Sequence, residues 1–250
     1  MTQRVVSARC WVMREPSRSS AKETELLFGH PFHIEETQKK WVFGHAFSPL
    51  DQKISGYQGW VRREDLSQTD LPRTHYVSAL KAPVFKASDI KSRVMRLLPQ
   101  GAQINAARIG GSFIELASGG FMHCNHLRAL GDYAQTDFVT AAEVYMGLPY
   151  IWGGVSSYGL DCSGLVQSAL RAIGQDCLRD ASQQEKSLGA PVAADGHLQR
   201  GDLVFWPGHV GIMTDTATLL HANAFHMEVA TEPLSEAINR IGQPRQINRL

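Results

Sequence analysis

The sequence predicts an α+β protein, with small antiparallel β units in its first half and a helix followed by an antiparallel sheet in its second. Three observations carry this. Residues 1 to about 130 hold short apolar bursts broken by glycine and other turn residues, such as Glu25-Leu26-Leu27-Phe28-Gly29, Trp41-Val42-Phe43-Gly44-His45-Ala46-Phe47 and Gly56-Tyr57-Gln58-Gly59-Trp60-Val61. Bursts of this length suggest small antiparallel barrels. In the second half a helix starts at Asp161 or Cys162 and reaches Ile173, with Leu165, Val166, Ala169, Leu170 and Ile173 on one face. Three strand-like bursts follow it, at residues 202–206, 209–213 and 218–222. A helix feeding an antiparallel sheet is an α+β arrangement.

In chain order, the first unit covers residues 1–73 and ends at Pro72-Arg73-Thr74. A weaker echo fills residues 74–132, with apolar bursts around Val84, Leu98, Ile114 and Phe121. Two copies are too few for a repeat protein. The third unit, residues 133–250, opens on helical spacing from Phe138 to Met146, with Thr136 or Asp137 as N-cap. Gly147-Leu148-Pro149-Tyr150-Ile151-Trp152-Gly153-Gly154 then forms a stiff segment before the helix that Gly174 closes.

Composition narrows the function. Net charge is +1, from 25 basic and 24 acidic residues, which disfavours nucleic acid and anionic membranes as partners. No apolar run approaches the ~20 residues of a membrane span. The start Met1-Thr2-Gln3-Arg4-Val5-Val6-Ser7 shows no signal-peptide pattern, so a cytoplasmic protein is expected. The four cysteines form no CxxC pair and no dense framework, so neither zinc nor a disulfide scaffold is expected.

Cys162 stands apart from Cys10, Cys124 and Cys177, which read as small buried hydrophobes. In Gly159-Leu160-Asp161-Cys162-Ser163-Gly164 it occupies the first turn of a helix. Free amides and the positive dipole end there are expected to lower its pKa and activate it as a nucleophile. Its own N–H, or a neighbour's, can donate to an oxyanion. On spacing alone, catalysis and plain burial weigh about evenly. A thiol nucleophile needs an imidazole, and His209 begins a strand in Pro207-Gly208-His209-Val210-Gly211. His221 ends the next burst; adjacent antiparallel strands would set it beside His209, where it could orient the base. Each histidine alone could be an ordinary core or surface residue. Metal binding by Cys162, His209 and His221 lacks a fourth ligand, so no metal and no cofactor are expected.

Taken together, Pro149-Tyr150-Ile151-Trp152-Gly153-Gly154, Asp161-Cys162-Ser163-Gly164-Leu165-Val166, Gly201-Asp202-Leu203-Val204-Phe205-Trp206, Gly208-His209-Val210-Gly211-Ile212 and His221-Ala222 resemble the NlpC-type cysteine peptidases of bacteria. The resemblance covers roughly residues 135 to 235, with all motifs in order. It implies a papain-like fold and hydrolysis of γ-D-glutamyl bonds to a diamino acid. Cys162 is then nucleophile, His209 general base and His221 the orienting third residue, with Tyr150 near the oxyanion and Asp161 and Ser163 lining the cleft. Gly56-Tyr57-Gln58-Gly59-Trp60-Val61 is similar to a signature of bacterial SH3-like barrels, and two such barrels ahead of the peptidase resemble the dipeptidyl-peptidase VI group. That group implies a barrel over the active site and a monomer acting on free murein peptides that start with L-Ala, during wall recycling.

The same resemblance assigns the substrate amine to Asp180, in Arg179-Asp180-Ala181-Ser182-Gln183-Gln184, and to Tyr57 with either Glu23 or Glu25. Ala181 departs from the serine common there. The physics is coherent: a buried ammonium needs paired carboxylates, and an N-acylated peptide would leave them unpaired. Asp161 reads equally as the N-cap of its helix, Tyr57 by itself as a core residue, and Trp152 as cleft or core. Trp11, Trp41, Trp60 and Trp206 read as packing residues. Rival readings are a hydrolase of intact peptidoglycan, a non-catalytic wall-peptide-binding protein, and an acyl transferase.

Overall fold

The computed structural model describes residues 1–50, 54–69, 71–193 and 196–250, with residues 54–56 and 109 as backbone only. The chain divides into two units, Met1–Tyr133 and Ala134–Leu250.

In the first unit, β1 (Thr2–Val5), β2 (Arg9–Met13), β3 (Lys22–Leu27), β4 (Pro31–Gln38), β5 (Trp41–Phe47), β6 (Ile54–Arg62) and β7 (Leu66–Ser67) form a sheet in the order β3-β2-β6-β5-β4-β1-β7. Strand β5 shows why: Val42, Gly44 and Ala46 alternate inward, the period of a half-buried strand. Gly44 is required by space, since a Cβ there would lie 1.8 Å from His33 O. Val5, Val12, Phe32, Val42 and Val61 are at most 1% exposed and centre the core. Next come β8 (His75–Val77), β9 (Lys81–Phe85), β10 (Val94–Pro99), β11 (Gln103–Ile104), β12 (Ala106–Gly110), β13 (Phe113–Leu116), β14 (Phe121–His123) and β15 (Leu127–Ala129). They form two further sheets, β10-β9-β14-β13-β12 and β11-β8-β15. None of the three sheets closes into a barrel among the described residues. Register shifts in β2, β4 and β5 bend the first one, as bulges do.

The second unit begins with α1 (Phe138–Glu143), and Asp137 rather than Thr136 caps it, accepting from Val139 N and Thr140 N at 3.0 Å each. The hairpin of β16 (Val155–Ser156) and β17 (Gly159–Leu160) leads into α2 (Cys162–Ala172), and α3 (Ala181–Ser187) follows. Then come β18 (Ala190–Pro191), β19 (Leu203–Trp206), β20 (His209–Met213), β21 (Thr218–Asn223), β22 (Glu228–Pro233), α4 (Leu234–Ile241) and β23 (Gln246–Arg249). Their sheet has the order β18-β23-β19-β20-β21-β22, antiparallel throughout. Helix α2 buries Leu165, Val166, Ala169 and Leu170 and packs on β20 and β21. Gly174, at φ 84°, ends it as its position predicts. Trp206 packs as expected and donates Nε1–H to Gly242 O at 2.8 Å. Among the described residues no helix is long and apolar enough to cross a membrane.

Candidate active site

Cys162 is the first residue of α2, 7% exposed, and its thiol points toward Gly208 O at 3.9 Å. Asp161 is the N-cap. Its Oδ1 accepts from Gly164 N at 2.7 Å, and its Oδ2 accepts from Gly153 N at 2.8 Å. Arg179 approaches both oxygens, at 2.9 Å and 2.5 Å, and also donates to Ser163 Oγ at 2.8 Å. The Asp161 and Arg179 side chains are 10% and 5% exposed, so this is a buried ion pair beside Cys162. Gly154 seals it: a Cβ on Gly164 would lie 2.1 Å from Gly154 O and 2.9 Å from Asp161 Oδ1. Alanine normally favours a helix over glycine by about 1 kcal/mol. Here Gly164→Ala should instead destabilise by about 1–3 kcal/mol through overpacking. Urea denaturation checks this, and an unchanged or higher midpoint would contradict it.

The histidines meet as the strand pairing implies. His209, at the start of β20, brings Nε2 to 2.8 Å from His221 Nδ1 on β21. His221 is fully buried, and its Nε2 lies 2.8 Å from Glu232 Oε1 on β22. Arg240 on α4 then contacts both Glu232 oxygens, at 2.9 Å and 2.5 Å. No sequence motif marked Glu232 or Arg240, and Arg179 stood in the Arg179–Gln184 segment without a role of its own. Burial of a charged side chain identifies Arg179 and Glu232, and the contact with Glu232 identifies exposed Arg240. His221, His226 and Glu232 have ligand atoms within 4.8 Å of one another, a spacing that could hold a metal ion.

One expectation is reversed. Burial, and secondarily the Asp161 carboxylate, push the Cys162 thiol up to about 11. The amides of Val210 and Ser163 and the Arg179 guanidinium pull the other way and lose. Burial likewise lowers His209 and His221 to about 4 each, and for His221 it outweighs the attraction of Glu232. At neutral pH the resting site therefore holds a neutral thiol and neutral imidazoles rather than a thiolate. Among the described residues no hydrogen bond joins Cys162 to His209, a looseness common before substrate binds.

Tyr150 is half-buried. Burial, then the Cys162 and Asp161 charges, raise its phenol to about 12, so it is a neutral donor close to the sulfur. Ser163 is buried, with Oγ turned to Asp161 and Arg179. Asp180 caps α3 in a capping box with Gln183, whose Oε1 accepts from Asp180 N at 3.1 Å. Trp152 is 66% exposed, which excludes a core role. In the first unit, Glu23 pairs with Arg14 at 2.5 Å, buried Glu25 lies 3.4 Å from Arg9, and Tyr57 packs partly buried against the core.

Residues 147–241 match the NlpC/P60 family. The second unit is an NlpC/P60 domain. Over longer stretches the chain is 27% identical to a γ-D-glutamyl-L-lysine dipeptidyl-peptidase of Bacillus subtilis (strain 168), covering 86% of this chain and 77% of that one. It is 26% identical to dipeptidyl-peptidase 6 of Lysinibacillus sphaericus, covering 93% and 91%. The fold is similar to the crystal structure of an NlpC/P60 family protein from Bacillus cereus ATCC 10987, with TM-score 0.83, 18% identity and coverage of 100% and 99%. The protein is a cysteine peptidase. In an NlpC/P60 enzyme of this geometry a neutral imidazole has to remove the thiol proton as the sulfur attacks the carbonyl carbon. The tetrahedral oxyanion collapses to a thioester as the imidazolium protonates the departing amine. Water, activated by the same imidazole, then cleaves the thioester and restores the thiol.

Proposed function

We propose that the protein is a cytoplasmic endopeptidase of wall recycling that cuts the γ-D-glutamyl-L-diamino acid bond of free murein peptides, L-Ala-γ-D-Glu-diaminopimelate or -Lys. Cys162 is the nucleophile, His209 the base, His221 its orienting partner, and the Tyr150 hydroxyl the oxyanion donor. The observation that carries the reading is that likeness to a protein named γ-D-glutamyl-L-lysine dipeptidyl-peptidase extends over 86% of the chain, and likeness to one named dipeptidyl-peptidase 6 over 93%, beyond the catalytic unit. A second observation supports reading the first unit as SH3-like. Gly59 of the Gly-Tyr-x-Gly-Trp-Val signature lies where a Cβ would be 2.5 Å from Val12 Cγ1 and 2.7 Å from Met13 O, so packing demands the glycine.

A pocket built around a free ammonium should reject a peptide whose amine is acylated. The free tripeptide is expected to exceed its N-acetyl form by roughly 10⁴-fold in kcat/KM, because a site built to hydrogen-bond a substrate amine rejects the analogue that lacks it. Release of the diamino acid, followed by mass spectrometry, measures this. Comparable rates on both peptides, or solubilisation of intact sacculi, would favour a wall hydrolase instead.

A further inference from the structure

Four side chains form a line through the second unit: His209, His221, Glu232 and Arg240. The hairpin of β21 and β22 sets Leu219 opposite Glu232 and His221 opposite Ala230. His221 and Glu232 thus occupy diagonal positions on one face of the sheet, a spacing that long side chains bridge. We propose that Glu232, locked by Arg240, is a positioning residue that sets the protons of the histidine pair and leaves Nδ1 of His209 bare as the base.

The argument runs inward from the guanidinium. Arg240 Nη1 and Nη2 reach Glu232 Oε2 and Oε1 at 2.9 Å and 2.5 Å. These hydrogen bonds, more than its charge, hold the Glu232 carboxyl below the usual carboxylate range against the opposing effect of burial, so at neutral pH both oxygens only accept. His221 Nε2 is buried 2.8 Å from Oε1, at ion-pair distance though off the line of a straight hydrogen bond, and has no hydrogen-bond partner elsewhere among the described residues. A bare nitrogen facing a carboxylate oxygen at that distance would set two lone pairs against each other, so Nε2 carries the proton. A neutral imidazole has one N–H, which leaves His221 Nδ1 as an acceptor. The donor for the 2.8 Å contact between the rings must then be His209 Nε2–H. His209 Nδ1 is left with its lone pair, the state a base needs before it takes the thiol proton. Reversing the His221 tautomer would reverse both rings and place a proton on Nδ1 of His209. Once that nitrogen is protonated, the carboxylate also stabilises the cationic pair.

The same groups could be taken for a cation site, since His226 also comes within 4.8 Å of His221 and Glu232. Arg240 on both carboxylate oxygens argues against that use, because a cation would sit beside a guanidinium.

The inference rests on the cysteine-peptidase reading and is independent of which bond is cut, so its test uses no peptide. In ¹⁵N-histidine NMR of the unmodified protein at pH 7, His221 and His209 should each be neutral with the proton on Nε2. A proton on His209 Nδ1, or a charged His221, would overturn the proposal. The second measurement is alkylation of Cys162 by iodoacetamide, read by peptide mass mapping, in the parent and in Glu232→Gln. At pH 7 the variant should react about tenfold more slowly or worse. The deficit should narrow as pH rises toward ionisation of the thiol itself, where no base is needed. An unchanged rate, or a deficit constant across pH, would reject the role and leave Glu232 as packing. Should Glu232→Gln fail to fold, the histidine spectrum of the parent still decides.

Discussion

Cys162→Ala is expected to reduce hydrolysis of free L-Ala-γ-D-Glu-L-Lys by at least about 10⁴-fold, the scale on which removal of a covalent nucleophile acts. The fold should survive. The change removes one sulfur from a residue that is 7% exposed, losing a 3.9 Å contact with Gly208 O and the weak pull of the Val210 and Ser163 amides. It leaves the Asp161 cap and the Arg179 pair intact, because neither touches the thiol through a hydrogen bond. A loss of about 1 kcal/mol corresponds to roughly 2–4 °C in melting temperature for a chain of this size. Calorimetry beside the peptide assay separates chemistry from stability. Turnover within tenfold of the parent, in a variant that melts normally, would show that the attacking group lies elsewhere. The resting thiol makes the case sharper. With Cys162 near 11 and His209 near 4, little thiolate exists at pH 7, so water-borne alkylating agents should react slowly until a base assists.

What the sequence made legible followed from local pattern. Asp161-Cys162-Ser163-Gly164 ahead of an amphipathic run fixes the start of α2, because cap chemistry and periodicity act within one turn. His209 and His221 could be paired in advance because two short strands joined by a turn must lie side by side. The thiol pKa was misjudged for a physical reason. The favourable field of a helix start is visible in one dimension, whereas the opposing desolvation depends on everything that packs over the sulfur. Asp161 was legible as a cap or cleft residue, but its pairing with Arg179, 18 residues on, is visible only once both are buried together. Glu232 becomes informative only once β22 is placed in register beside β21. Asp180 reads in the sequence only as an amine-binding residue, and its capping box with Gln183 emerges once α3 is seen. In the first unit, bursts and glycines located β3, β5 and β6, but pairing order depends on contacts that no burst encodes.

Asp161→Ala should cost about 3–5 kcal/mol, the largest stability loss expected of any single change at the site. The reason is an asymmetry in what is left behind. Without the carboxylate, the Arg179 guanidinium, 5% exposed, loses its charged partner, while Ser163 Oγ and a 3.4 Å contact to Gly154 O offer it neutral acceptors. A buried cation with neutral acceptors alone is strongly disfavoured. The amides of Gly153 and Gly164 lose their acceptor in the same step, and α2 loses its N-cap. Arg179→Met removes the other partner and should cost less than half as much. Asp161 would still accept from Gly153 N, Gly164 N and Ser163 Oγ, three donors that satisfy much of a carboxylate. The double change Asp161→Ala with Arg179→Met should therefore be more stable than Asp161→Ala alone, since it takes away the orphaned charge. Chemical denaturation of the three variants measures the ordering. If Asp161→Ala costs no more than Arg179→Met, the ion pair beside Cys162 is not what holds the nucleophile's helix in place, and the cap alone would have to account for it.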